Sequence, residues 1–220
     1  MQERPISTQQ TGFCAIAQCR GWLPNAYGGR LWFGVDDTYS TVFAPLYCCQ
    51  SVIPECFRQG NGSLTKYSET AAFWLFNRVA NFAYLRYNDM IVDIQQAQQE
   101  LELQFIADAD HNDKIFAERF AQLPIYQTKD SNYFPQQLVE ACNTFSIDRA
   151  DRMMARWRQL DQFLLMRYLD GTKRRVDDNG NLDPRHFDTP GYPEWFYRKI
   201  IEDQGIKNLE HEVSAEPTIF

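Results

Sequence analysis

The stretch from Ala71 to Phe105, AAFWLFNRVANFAYLRYNDMIVDIQQAQQELELQF, constrains the fold of this chain more than any other. Apolar residues recur at Phe73, Phe76, Ala80, Ala83, Tyr87, Ile91, Ile94, Leu101 and Phe105. Steps of three, four or seven lay one apolar stripe along an α-helix. Neither Gly nor Pro interrupts the stretch, so the spacing predicts a single helix of roughly 50 Å at ~1.5 Å per residue. Ser68 is placed to cap it. From Val92 onward the opposite face carries Asp93, Gln96, Glu100 and Gln104, as on a surface helix. The first turns differ: Trp74, Leu75, Phe82 and Leu85 lie off the stripe, so this half is apolar nearly all round. Such a helix is buried on several sides. Phe73, Phe76, Ala83 and Tyr87 are expected to be buried together, with Trp74 and Phe82 largely buried as well.

Before this helix the chain reads as strands. Thr11 to Arg20 alternates Cys14, Ile16 and Gln18 with Phe13, Ala15, Ala17 and Cys19. Two largely apolar faces predict a strand covered on both sides. Asn25 to Gly29 supplies turn chemistry. Arg30 to Val35 and Tyr39 to Tyr47 are rich in Trp, Phe, Val, Thr and Tyr and read as further strands, with Pro45 at an edge or an end. Asp36 and Asp37 fall where strand character breaks, and Gln59 to Ser63 reads as a turn.

After the helix, Asp108 to Lys114 reads as a polar acidic connection. Ile115 to Leu123 is a short helix stopped by Pro124, and Pro135 opens another through Phe145. Asp148 to Asp170 forms a second long amphipathic helix, with Met153, Trp157, Leu160, Leu164 and Tyr168 on one face. Lys173 to Thr189 is a charged loop, Pro193 to Asp203 a last helix, and the tail from Asn208 frays. The Asp177–Asn181 run offers only part of a calcium loop's pattern and is read as an exposed turn.

Charge and cysteine usage exclude several classes. Twenty-nine acids against 22 bases leave a net charge of −7, and Lys173-Arg174-Arg175 is the only short basic cluster. Nucleic acid is therefore not an expected partner. No apolar run approaches the ~20 residues that span a bilayer, and no signal-peptide pattern opens the chain. A soluble, cytoplasmic protein without a membrane partner is the default expectation. The six cysteines (14, 19, 48, 49, 56 and 142) form no CxxC pair, and the three histidines are scattered, so no metal site assembles by spacing. Buried free thiols are favoured over a disulfide framework. No cofactor is expected.

Several segments agree in order and spacing with one family. They begin with Arg4-Pro5-Ile6-Ser7, Gln18-Cys19-Arg20-Gly21-Trp22-Leu23-Pro24 and Leu31-Trp32-Phe33-Gly34-Val35-Asp36-Asp37-Thr38-Tyr39. Val52-Ile53-Pro54-Glu55-Cys56, Ala72-Phe73-Trp74 and Asn88-Asp89-Met90 follow. Tyr168-Leu169-Asp170-Gly171 and Gly191-Tyr192-Pro193-Glu194-Trp195-Phe196-Tyr197 complete the set. Together they resemble the C-terminal part of the bacterial dipeptidase-A-type family, cysteine peptidases of the N-terminal-nucleophile hydrolase superfamily.

The resemblance implies an α+β fold: part of an αββα sandwich, with a few antiparallel strands between residues 11 and 47, then a mostly helical C-terminal region. Residues 1–107 would complete the sandwich and residues 108–220 would form a helical extension. The implied activity is dipeptide hydrolysis, in which an N-terminal Cys thiol attacks the peptide carbonyl and its own α-amino group serves as base. In the family that nucleophile lies far upstream of the part matched here. Cys14 and Cys19 sit inside a strand without a free amine, so neither takes the role, and no catalytic residue is assigned to this chain.

Five residues remain as substrate-binding candidates. Arg20, at a strand end, is suited to hold the carboxylate of a dipeptide bidentately, or else to pair with Asp36 or Asp37. Asp36 and Asp37 are suited to orient a substrate amine, or else to form the turn. Asn77 and Asn81, one helical turn apart, can reach an oxyanion or satisfy nearby backbone. Two readings follow: the C-terminal part of a cysteine dipeptidase, partnered by a missing N-terminal half, or a non-catalytic helical interaction module on that scaffold. In the first reading strands 11–47 need a cover, from the missing half or from a homo-oligomer; in the second this chain's own helices cover them.

Overall fold

The computed structural model describes residues 7–122 and 134–204. The start of the Arg4–Ser7 motif, Pro124 and the tail from Asn208 lie outside the described residues. Two compact units are present, Met1–Leu165 and Met166–Phe220. The fold is mixed helix and sheet, with small antiparallel sheets and a helical C-terminal region. No described helix is long and apolar enough to cross a membrane.

In the first unit, β1 (Phe13–Cys19), β2 (Gly29–Val35) and β3 (Ala44–Tyr47) form an antiparallel sheet in the order β1-β2-β3. A single turn of helix, α1 (Asn25–Gly28), links the first two strands. Register runs from Phe13↔Val35 to Cys19↔Gly29, and from Arg30↔Tyr47 to Phe33↔Ala44. Pro45 lies in β3, an edge strand, where its missing N–H costs the ladder nothing. The strand expected from Tyr39 begins only at Ala44. Residues 39–43 instead cross close over β2, with Thr41 Oγ1 donating to the Val35 carbonyl at 2.6 Å. A Cβ on Gly34 would sit 2.8 Å from Thr41 Cγ2, so this crossing requires glycine.

Burial across the sheet is lopsided. All four residues of β3 are buried. In β1 only Cys14 is even half-buried, so the strand expected to be covered on both faces is bare. Arg20 N–H donates to Gly28 O and Asp36 N–H to Gly12 O, which marks the even-numbered residues of β1 as those bonded to β2. Ladder bonds alternate along an antiparallel strand. The N–H and C=O groups of Phe13, Ala15, Ala17 and Cys19 therefore point away from β2, without a strand partner among the described residues.

The single long helix expected over 71–105 is two helices, α2 (Ala72–Ala83) and α3 (Tyr87–Arg119). The chain tightens between them, Leu85 N–H reaching Phe82 O and Arg86 N–H reaching Ala83 O, and Arg86 leaves helical geometry at φ −152°, ψ 64°. Ser68 does not cap α2; its hydroxyl donates to Asn61 Oδ1. Leu75, Phe76, Val79, Ala80 and Ala83 are buried, whereas Phe73, Trp74, Phe82 and Tyr87 are half-buried and Leu85 is exposed.

The acidic run 108–114 is helix, not connection. Asp108, Asp110 and Asp113 meet Arg149, Arg30 and the Arg20–Arg30 pair respectively. Arginines distant in sequence thus compensate charges that read as loop. Position 107 lies inside α3, and the two units divide at Leu165–Met166. The two helices expected at 135–145 and 148–170 are one, α4 (Gln136–Arg167), whose Leu138, Cys142, Phe145, Met153, Trp157, Leu160 and Leu164 are buried. The Trp157 ring stacks on Phe76 at 4.4 Å between centroids. In the second unit the expected loop at 173–189 is a hairpin, β4 (Lys173–Val176) and β5 (Leu182–Asp188). Asp177 turns it by accepting the N–H of Asn179 and Asn181. The last helix, α5 (Glu194–Gln204), buries no residue.

Candidate functional site

The β1–β2 pair has a charged cluster at each end. Arg20 stands opposite Gly28 and Asp36 opposite Gly12 in the same ladder. Eight residues of strand separate the two ends, roughly 25 Å. Arg20 therefore cannot share a site with Asp36 and Asp37, nor pair with either.

At the Arg20 end the guanidinium is fully engaged. Its Nε donates to Gly28 O at 3.1 Å, one terminal nitrogen to Tyr27 O at 2.7 Å, and the other to the Asp113 carboxylate. Arg30 donates to the same carboxylate oxygen at 2.6 Å and to Ala109 O at 3.2 Å. Tyr47 donates to the second oxygen at 2.7 Å and accepts from Asn112 at 3.1 Å. Burial pushes the Tyr47 phenol well above its ordinary range, so it remains a donor at any ordinary pH. Both arginines are buried, and Arg20 is left no free fork for a substrate carboxylate. Beside Arg30, Gln18, Trp32, Ile106, Glu102 and Asp110 line an open groove of about 450 Å³ between the sheet and α3. Burial raises the Glu102 carboxyl, although the Phe43 N–H bonded to it at 3.1 Å opposes the rise.

At the other end β2 runs into Asp36, whose φ of 65° is left-handed. Among residues with a side chain, Asp and Asn enter that region most readily, which suits an aspartate to this corner. The bend places two carboxylates side by side, Asp36 at 2% exposure and Asp37 at 5%. Asn77 on α2 donates to Asp36 Oδ1 at 2.8 Å. Asp37 accepts from the Ser7 hydroxyl, from Tyr39 N–H at 3.1 Å and from the Tyr84 hydroxyl at 2.8 Å. All these donors are neutral. Among the described residues neither acid has an ion-pair partner. Burial raises the Asp36 carboxyl above the ordinary carboxylate range; the bonds from Asn77 and the Asp37 N–H pull it down, and the Asp37 charge pushes it up again. Burial and the bond to Asp37 carry the Tyr84 phenol to about 12.

Of the five candidates, Asp36, Asp37 and Asn77 come together. Asn81 is exposed and its amide returns to the Asn77 carbonyl at 2.8 Å, so it serves its own helix. Sequence reasoning missed Tyr84, Ser7, Arg30, Tyr47 and Asp113 as cluster members. Tyr84 is recruited by the break between α2 and α3, which no Gly or Pro announces. Ser7 stood in one of the quoted motifs and could have been tried against the nearby acids. Asp113 lay inside a run that read as loop.

What the acid pair can do follows from its charge. Two adjacent buried carboxylates held only by neutral donors favour a cation, and a primary ammonium with three N–H donors matches acceptors of this kind. Among the described residues none of the six free cysteines has a hydrogen bond to a histidine or an amine that would activate it. Burial pushes Cys56 to about 12 and raises Cys48.

No curated protein matches the chain. Residues 1–100, which hold the three-stranded sheet, the acid pair, α2 and the start of α3, match the model described as Peptidase family C69, so over this stretch the chain is similar to the dipeptidase-A-type cysteine dipeptidases.

Proposed function

We propose that this chain is the substrate-side, C-terminal part of a cysteine-type dipeptidase, with the thiol nucleophile supplied from outside these 220 residues. The observation that carries the reading is the buried Asp36–Asp37 pair, without an ion-pair partner among the described residues, inside the stretch that matches the peptidase family. In this reading the pair receives the free ammonium of a dipeptide, and Asn77 holds Asp36 in place. Arg20 and Asn81 are not part of the site. The bare edge of β1 takes a strand of the nucleophile-bearing half or, failing that, of a second copy, because an unpaired edge without charges is open to strand addition.

The purified chain alone is expected to leave a panel of dipeptides intact. Thiol-dependent turnover lost on Cys14→Ala would overturn the reading. Calorimetric titration with a free dipeptide and its N-acetylated form tests the amine site directly. Binding should need the free ammonium and weaken at least tenfold in Asp37→Asn; equal binding of both forms would remove the acid pair from the site.

A second reading, a non-catalytic interaction module, is favoured by one observation: among the described residues no cysteine is hydrogen-bonded to a histidine or an amine that would make it a peptidase nucleophile. Sedimentation at several concentrations, with and without the co-expressed upstream half, separates the two. A compact monomer indifferent to that half supports the module.

A further inference from the structure

We propose that Cys49 and Cys142 form an oxidisable dithiol, a reversible disulfide site joining the segment after β3 to the middle of α4, independent of any peptidase activity. The segment is already docked there by other bonds. Tyr47 N–H donates to Ser146 Oγ at 3.3 Å, and Ser51 and Val52 N–H both donate to Asn143 Oδ1, at 2.9 and 3.1 Å. The Asn143 amide returns to Ser51 Oγ at 3.1 Å. Residues 47–52 are thus pinned along 143–146 on both sides of Cys49, which packs against the buried cluster containing Cys142. Within this frame Cys49 and Cys142 are interacting side-chain neighbours.

Their chemistry is divided between them. The neighbouring Cys142 holds Cys49 below the ordinary thiol range against the effect of burial, and the neighbouring Cys49 with burial pushes Cys142 up. Cys49 is half-buried and Cys142 is fully buried. A thiolate with some access attacks an oxidant, and a neutral thiol in contact resolves the product. With a peroxide as oxidant, the Cys49 thiolate attacks one oxygen, the O–O bond breaks, and hydroxide leaves. Cys49 is then a sulfenic acid. Cys142 attacks that sulfur as its thiol proton is lost, the S–O bond breaks, and water departs, leaving Cys49–Cys142. The two thiols give up two electrons and hydrogen peroxide becomes two waters. The adjacent Cys48 is exposed, and burial, with the charges of Cys49 and Cys19, raises it, so it is the poorer nucleophile of the two neighbours.

The test uses the reduced full chain, treated with a small excess of hydrogen peroxide, alkylated and measured by intact and peptide mass. The expected product carries four alkyl groups instead of six, is about 2 Da lighter than the reduced chain once those groups are subtracted, and contains a Cys49–Cys142 cross-link that dithiothreitol reverses. Cys48→Ser should form the same link. Cys142→Ser should accumulate a Cys49 sulfenic acid that dimedone traps. Cys49→Ser, at a half-buried position, is the second variant in case the buried serine of the first disturbs folding, and it should leave Cys142 reduced. Six reactive thiols after peroxide, or a link through Cys48 or Cys19, overturns the proposal.

Discussion

Asp113 and the Asp36–Asp37 pair are all acids of low exposure at the ends of one β-hairpin, yet they are treated in opposite ways. Asp113 lies between two buried guanidiniums and also accepts a tyrosine hydroxyl. Asp36 and Asp37 are surrounded by an amide, two hydroxyls and backbone N–H groups, with no cation among the described residues. The first arrangement closes a charge balance and anchors β1 and β2 to α3. The second leaves an excess of negative charge in place. Among the described residues two arginines reach one carboxylate and none reaches the adjacent pair, which in the proposed reading meets a cation from outside. In the proposed reading the difference separates a structural end of the hairpin from a binding end.

Removing Asp113 should break the structural end most severely. Asp113→Ala strands two buried positive charges, and losing one partner of a buried ion pair costs about 3–5 kcal/mol. Urea unfolding measures this; a loss under about 1 kcal/mol would mean the arginines relax into solvent, and the contrast between the ends would fall. Tyr47→Phe keeps the ring among Phe116 and Phe145 but removes one donor to the same carboxylate. A buried hydrogen bond to a charge is worth about 1.5–3 kcal/mol.

At the other end the sign reverses. The Asp36 carboxyl is raised in the folded chain, so the folded state holds its proton more tightly than the unfolded one. Its contribution is fully present below the unfolded carboxylate value and is lost as pH rises through the raised folded value. Asp36→Asn should flatten that fall and raise stability near neutral pH. Unfolding curves from acid to neutral pH for both proteins decide it; a variant that loses stability at neutral pH shows Asp36 to be structural after all.

Much of this layout was legible. The strands at 11–20 and 30–35, the apolar stripe, the terminal helix and the family resemblance follow from alternation, periodicity and motif order. The adjacency of Asp36 and Asp37 to Asn77 was half-visible, because all three were singled out separately. Three things were hidden. Asp108, Asp110 and Asp113 looked like a loop because their arginine partners are about 40 to 90 residues away in sequence. The break at Tyr84–Arg86 has no sequence mark; tertiary contacts fix it, through the Tyr84 hydroxyl on Asp37 and the Tyr84–Tyr87 ring stack at 5.6 Å. The bareness of β1 was read as coverage, since an apolar strand looks the same whether its cover belongs to this chain or to another.

Tyr84→Phe gives the smallest effect and the sharpest comparison with Tyr47. Both phenols donate to a carboxylate, Tyr84 at 2.8 Å and Tyr47 at 2.7 Å. Tyr84 is 40% exposed and Tyr47 only 1%. Water can replace the lost Tyr84 donor, whereas at Tyr47 the vacated site stays dry and the acid goes short. The Tyr84 phenol titrates only near 12, so below that it is always a donor and its removal should cost the same from pH 6 to 9. The expected loss is about 0.5–1 kcal/mol. Because Asp37 then has one fewer donor competing for its oxygens, ammonium binding should hold or tighten in the same variant. A loss as large as that of Tyr47→Phe, with weaker binding of a free dipeptide, would mean Tyr84 braces the acid pair as rigidly as the arginines brace Asp113. The two ends of the hairpin would then be alike in kind.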